Sequence, residues 1–235
     1  MRIDQYREFF KAEYMMGPNC LRLLDVLLTA YPLNFTAENR ILDLGCGKGV
    51  TSLFTAKETG ATVYANDLWI SEEDNRTRFA AWGMENRIIP VHEDANELHF
   101  EKEMFDALVS VDAYHYFAGR EGFFTEKILP FMKSGSTALI AVPGMKLAYD
   151  GRSEELMSPW LKDEAYMFQS ADFWKKIIGT HEEIAEVKTW EMNSFELSWQ
   201  EWLDSNHKYA VGDREYYESL IKPFTTFVGI MVRKK

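Results

Sequence analysis

Three short patterns in the chain combine backbone and side chains suited to holding a ligand and acting on it. The first is Gly45-Cys46-Gly47-Lys48-Gly49, placed directly after the apolar run Ile41-Leu42-Asp43-Leu44 and before a helical stretch. Glycines at such a point let the backbone approach a ligand closely and adopt positive φ where a side chain would clash. The second is a pair of acidic positions, Asp67 and Asp94, each following a short β-like run. One carboxylate can accept hydrogen bonds from two hydroxyls at once. The third is Asp112-Ala113-Tyr114-His115-Tyr116-Phe117, which gathers a histidine and two tyrosines after another apolar run. An imidazole with an unperturbed pKa near ~6.5 can take a proton from a hydroxyl, an amine or a carbon acid.

The glycine turn alone serves several nucleotide-like ligands. A dinucleotide fingerprint needs G-x-G-x-x-G, but the position required to be the third glycine is Val50. A phosphate-binding P-loop needs Ser or Thr after its lysine, whereas Lys48 is followed by Gly49 and the required first glycine falls on Leu42. Plain structural readings stand beside the functional ones. The turn can be a tight strand-to-helix connection, Asp67 a strand end or helix cap, and Asp94 a turn former. Asp43 can be a buried strand carboxylate satisfied by the turn's amides. His115 can pack or hydrogen-bond locally.

These residues need elements to position them. From about residue 40, short apolar runs alternate with helical patterns, the arrangement of βαβ units around a parallel sheet. Strands are expected at residues 40–44, 62–66, 88–92, 107–111 and 137–142, with further β-like stretches at 186–192 and 225–232. Residues 1–38 read as helical, broken at Gly17-Pro18, and residues 51–58 read as a helix. Ser71-Glu72-Glu73-Asp74 resembles a capping box opening another helix, and Ser198 with Glu201 suggests the start of a later one.

Taken together, Ile41 to Gly49 resembles the first motif of class I S-adenosylmethionine-dependent methyltransferases. Asp67 closes the second strand about 20 residues after the glycines, the distance at which an acidic residue meets ribose hydroxyls. Glu93-Asp94-Ala95 is similar to the family's Asp-Ala pair, and Phe105 to Asp112 and Ile128 to Ser136 resemble its fourth strand and the helix and turn before its fifth. Ser134 and Ser136 replace the proline and second glycine usual in that turn. The resemblance covers roughly residues 38 to 143. It implies an α/β, Rossmann-like fold: a seven-stranded, mostly parallel sheet with helices on both faces, plus a helical N-terminus and lid elements after the fifth strand. It further implies one methyltransferase domain: a helical segment at 1–38, a cofactor core at 38–143, cap and helical additions at 144–224 and a final strand at 225–235.

The resemblance implies S-adenosylmethionine as cofactor, with Asp43, Gly45, Cys46, Gly47, Gly49, Asp67, Leu68, Asp94, Ala95 and Asp112 as its contacts. Asp67 would bind ribose, Asp94 and Ala95 adenine, and Asp43 would order the turn and approach the methionine moiety. Lys48 would contribute backbone more than side chain. His115 and Tyr114 are the candidate catalytic residues. Methyl transfer from a sulfonium is an in-line displacement, so alignment and exclusion of water matter more than a dedicated base.

Composition narrows the acceptor. The chain has 235 residues, 46% hydrophobic and 27% charged, with a formal charge of −11. That charge opposes nucleic acid and anionic lipid, and favours a small-molecule methyl acceptor. Neither the Asn/Asp-Pro-Pro-aromatic motif nor the Pro-Cys nucleophile of nucleic-acid methylation appears. No run approaches the ~18 apolar residues of a membrane span, and the polar start lacks a secretory signal, so a cytoplasmic location is expected. Two cysteines, Cys20 and Cys46, form neither a disulfide framework nor a metal cluster, and no metal is expected. Aromatic and methionine stripes at Tyr6, Phe9, Phe10, Tyr14, Met15 and Met16, and at Trp160, Tyr166, Met167, Phe168 and Trp174, divide between core and lid, as do Trp199 and Trp202. Two rival functions stay open: methylene transfer to lipid by a cyclopropane-synthase-like enzyme, and a cofactor-binding sensor without turnover.

Overall fold

Strand β1 (Arg40–Leu44) shows how the sheet is buried on both sides: Ile41 packs into one apolar cluster, Leu42 and Leu44 into another. Successive side chains of a strand point to opposite faces, so apolar residues at consecutive positions require cover on both. The computed structural model describes residues 2–235. Its sheet runs β3-β2-β1-β4-β5-β7-β6, with β2 at Thr62–Asn66, β3 at Ile88–Val91, β4 at Phe105–Val111, β5 at Met132–Met145, β6 at Ile184–Glu191 and β7 at Thr225–Lys234. The strands β1 to β5 pair in parallel, and β7 enters antiparallel between β5 and β6.

One face is covered by α1 (Cys20–Ala30), α2 (Val50–Thr59) and α6 (Phe195–Asp204), through Leu24, Leu27, Phe54, Trp199 and Trp202. The other is covered by α5 (Ala171–Ile178) and the helical turns that precede β5, through Trp174, Phe123 and Phe124. Burying each such side chain contributes ~1.5–3 kcal/mol, which makes the sheet a stiff platform for loops at its edge. A smaller cluster of Met145, Met157, Ala165 and Phe168 lies beyond β5, where α4 (Ser153–Leu161) and a following 3₁₀ stretch form a cap.

The sheet and its connections agree with the expected class I fold, and several local expectations are corrected. Residues 2–9 form a 3₁₀ helix and α1 starts only at Cys20, with Asn19 Oδ1 accepting the amides of Leu21 and Arg22. Residues 32–39 are not helical. β5 continues past the expected end at 142 because its pairing with β7 runs to Met145; its pairing with β4 stops at Ala141, so Pro143 engages only β7, and a proline is tolerated where one edge is free. Ser71 does cap α3 (Glu72–Ala81), its Oγ accepting the Asp74 amide, while Asp74 Oδ2 accepts from the Ser71 hydroxyl and not from the Ser71 amide. Ser198 does not start a helix: α6 begins at Phe195, and Ser198 Oγ donates to the Ser194 carbonyl one turn back. Glu201 instead holds Asn19 Nδ2 at 2.8 Å and Arg22 Nε at 2.8 Å.

Candidate active site at the carboxyl edge of the sheet

The glycine turn is held by the neighbouring strand and helix. The Asn66 carbonyl at the end of β2 accepts the amides of Gly45 and Cys46, both at 2.9 Å. Asp67 Oδ2 accepts the Gly47 amide at 2.7 Å, and Oδ1 accepts those of Trp69 and Ile70 at 2.8 and 2.9 Å. From α3, Asn75 Nδ2 donates to the Gly47 carbonyl at 3.0 Å. Gly45 has φ +77°, and a Cβ there would lie 2.3 Å from Ala113 Cβ, so the turn nests against the loop after β4 only because the position is glycine.

Asp43 supports this turn from beneath. Its carboxylate is fully buried, and Oδ2 accepts the hydroxyls of Thr51 and Ser52 at 2.7 and 2.6 Å. Burial pushes its pKa up to about 6 against those two bonds. The expectation that the turn's amides satisfy it is therefore corrected: hydroxyls from the first turn of α2 engage Oδ2, Oδ1 has no hydrogen-bond partner, and Asp43 does not line the cavity above.

That cavity, about 550 Å³, opens over the carboxyl ends of β1, β2 and β4, where ligands of open α/β sheets bind. Gly45, Cys46, Gly47, Asp67, Leu68, Asp94, Ala95 and Asp112 all line it. Gly49 does not; its φ of +77° starts α2, and a Cβ there would strike Phe79 at 2.3 Å, which makes it a packing glycine. Asp94 Oδ1 accepts the Asn96 amide at 2.8 Å, and the bonds from Asn96 hold the carboxyl below the usual range. Asp67 already accepts three amides, so of its roughly four lone-pair directions one stays open, on Oδ2. It has room for one ligand hydroxyl, not two, while the Gly47 bond is made.

The catalytic expectations change more. Tyr114 and His115 are both buried and neither lines the cavity. Tyr114 packs against Phe117, Phe123 and Trp174, and burial raises its pKa. His115 Nδ1 has no hydrogen-bond partner, and burial drives its pKa down to about 3, so the ring stays neutral at physiological pH. Its ring centroid lies 4.1 Å from that of Tyr116, and it is Tyr116 that faces the cavity. The short 3₁₀ turn at Tyr114–Tyr116 sends adjacent side chains in different directions.

Several cavity residues had no sequence signal of their own. Trp69, 64% exposed, meets Tyr116 edge to face at 5.0 Å on the rim. Glu93 and Glu164 add carboxylates. From the two stripes, Tyr14, Met16 and Met167 reach the cavity, whereas Tyr6, Phe9, Trp174, Trp199 and Trp202 belong to the core. The segment before α1 is tied down by Lys48 Nζ, which donates to the Glu13 carbonyl, and by the Asn19 amide, which donates to the Ser198 carbonyl at 3.0 Å. Among the described residues, no three His, Cys, Asp or Glu side chains converge in a way that would hold a metal ion.

Residues 41–133, which include the glycine turn, Asp67, Asp94 and the loop after β4, match a family model described as a methyltransferase domain. This part of the chain is similar to a methyltransferase domain, and the fold around it is that of the class I methyltransferases. Methyltransferase GfsG of Streptomyces halstedii is 27% identical over 108 residues, 46% of this chain and 39% of that protein, so the match spans about two fifths of the relative's length. Among solved structures, geranyl diphosphate C-methyltransferase of Streptomyces coelicolor A3(2) superposes with a TM-score of 0.72 at 13% identity, covering 90% of this chain and 78% of that one. Phosphoethanolamine N-methyltransferase 2 of Haemonchus contortus gives 0.67 at 18% identity, covering 94% and 54%. The [4+2]-cyclase SpnF gives 0.67 at 16%, covering 91% and 80%. At these identities the likeness is one of fold, which does not by itself fix the chemistry.

Proposed function

We propose that this domain binds S-adenosylmethionine over the glycine turn and catalyses transfer of its methyl group to a small-molecule acceptor. The observation that carries the reading is the composition of this cavity: Gly45, Cys46, Gly47, Asp67 and the Asp94-Ala95 pair lie in it together with Asp112, Tyr116 and Met167. A cofactor site and an acceptor site are therefore contiguous, as in-line displacement requires. The backbone suits the cofactor, since Gly45 and Gly47 both line the cavity without side chains, and Asp67 retains one acceptor direction for a ribose hydroxyl.

When bound, the cofactor supplies an electrophilic methyl on a sulfonium. The chain's own residues do the rest. Asp67 and Asp94 orient the nucleoside, the Gly45-to-Gly47 backbone seats the amino-acid portion, and Tyr14, Met16 and Met167 exclude water from above. Two of the named relatives are methyltransferases of small molecules, which agrees with this acceptor class. The test is calorimetric titration with S-adenosylhomocysteine, followed by incubation with methyl-labelled cofactor and a metabolite extract. Saturable binding and a labelled product of low mass are expected. Tight binding without any labelled product would identify a sensor instead of an enzyme.

A further inference from the structure

The cavity is strongly acidic. Five carboxylates line it, on Asp67, Glu93, Asp94, Asp112 and Glu164, against one cationic side chain, Lys48, whose Nζ is turned to the Glu13 carbonyl. Asp67, Glu93 and Asp94 are engaged by backbone amides. Asp112 differs: no bond or neighbouring charge offsets its burial.

One unusual backbone position and one close approach set Asp112 at the cavity. Its own φ is +57°, a region that a non-glycine residue occupies at a cost of ~1–3 kcal/mol and that recurs at functional sites. Its amide remains anchored to the Ala141 carbonyl at 2.8 Å, so the reversal occurs at a fixed end of the sheet. Opposite it stands Gly17, where a Cβ would lie 2.4 Å from Asp112 Oδ2, so a larger residue there would displace this carboxylate. Tyr116 and Glu164 line the same cavity as Asp112, and the Tyr116 phenol is held in its neutral form by burial first and then by the negative charges of Asp112 and Glu164. Tyr116 and Trp69 add aromatic rings at the rim, and such rings attract cations.

We propose, building on the methyltransferase reading, that the acceptor is an amine, held as an ammonium ion by Asp112, Glu164 and the ring of Tyr116, and that Asp112 receives its proton. An alkylammonium has no lone pair and cannot attack. Transfer of one N–H proton to the Asp112 carboxylate leaves a neutral amine and a carboxylic acid. The nitrogen lone pair then forms the N–C bond to the methyl as the C–S bond breaks, its electron pair remaining on sulfur as a thioether. The methylated ammonium departs and Asp112 returns its proton to water. Burial raises Asp112 to about 7, which suits a base working near neutrality. The groups beside it, Cys20 from α1 and Tyr116 from its own loop, are both pushed toward their neutral forms, chiefly by burial, and Glu164 lines the same cavity from the cap.

The test uses the protein saturated with S-adenosylhomocysteine and compares choline with its uncharged carbon isostere, 3,3-dimethylbutan-1-ol, by calorimetry. Choline is expected to bind at least about tenfold more tightly than the isostere, and Asp112→Asn and Glu164→Gln are each expected to weaken it about tenfold. Glu164 is exposed, so its variant reports binding even if Asp112→Asn folds poorly. A methyl-transfer panel of small amines, phenols and carboxylic acids should label only amines. Failure to bind S-adenosylhomocysteine would overturn the methyltransferase reading itself. With that binding intact, equal affinity for choline and the alcohol, binding of neither, or transfer to phenols or carboxylates would overturn the amine proposal.

Discussion

Asp67 Oδ2 accepts the amide of Gly47 at 2.7 Å, so the carboxylate expected to meet ribose also braces the turn expected to cradle the amino-acid portion. Replacing it damages both at once. Asp67→Ala is predicted to weaken S-adenosylhomocysteine by about 100-fold, the loss of two charge-assisted bonds at ~1.5 kcal/mol each, and Asp67→Asn by less. Titration calorimetry measures this; unchanged affinity in the alanine variant would remove Asp67 from the site.

The glycines of the turn should differ in their tolerance. At Gly45 an added Cβ meets Ala113 Cβ at 2.3 Å with φ at +77°, whereas at Gly47 it meets the movable Met16 Sδ at 2.8 Å with φ at +54°. Gly45→Ala is expected to destabilise the protein by about 2–4 kcal/mol and Gly47→Ala by about 1 kcal/mol. Thermal melts of the two variants should therefore rank Gly45→Ala clearly lower.

Asp112 links activity to stability through pH. Its folded pKa of about 7 lies above the ordinary 3.8, so the folded state favours the protonated acid. Its contribution to stability is full below about pH 4 and is lost as pH rises toward 7; Asp43, raised to about 6, acts in the same direction. Asparagine cannot ionise. Asp112→Asn should raise the melting temperature by about 2–4 °C at about pH 8, with the gain vanishing toward about pH 4, while methyl transfer falls. A melting-temperature difference independent of pH would contradict this account.

His115 should behave as a packing residue. With its pKa near about 3, it does not change charge between neutral and mildly acidic pH. His115→Phe is predicted to leave the pH dependence of kcat unaltered and to change stability by about 1–3 kcal/mol, with any loss of rate arising through the displaced Tyr116. A lost ionisation in the pH–rate profile would restore the histidine as a base.

The sheet was legible because each strand carried its own local pattern. The run from Ile41 to Leu44 and the glycines after it declare a buried strand and a ligand-approaching turn without help from elsewhere. Local patterns failed where distant partners decide. Ser198 and Glu201 have the spacing of a capping pair, but Glu201 is claimed by Asn19 and Arg22, far back in the chain. Likewise, the loop after β4 offered a histidine and two tyrosines, and the sequence favoured the best base by chemistry. Which of them faces the cavity depends on the left-handed turn at Asp112 and the tight turn after it, and no residue-type rule marks an aspartate for that conformation over another. The acidic cap residue Glu164 reaches the site only through tertiary packing.

The position of β7 has a consequence for biosynthesis. It lies between β5 and β6, and β6 has no other partner in the sheet. While the chain emerges from the ribosome, β1 to β5 can assemble as they appear, but β6 must wait, unpaired, for the last strand. Until then the edge of the apolar strand β5 is open and β6 is unpaired, the state in which a nascent chain most needs a chaperone.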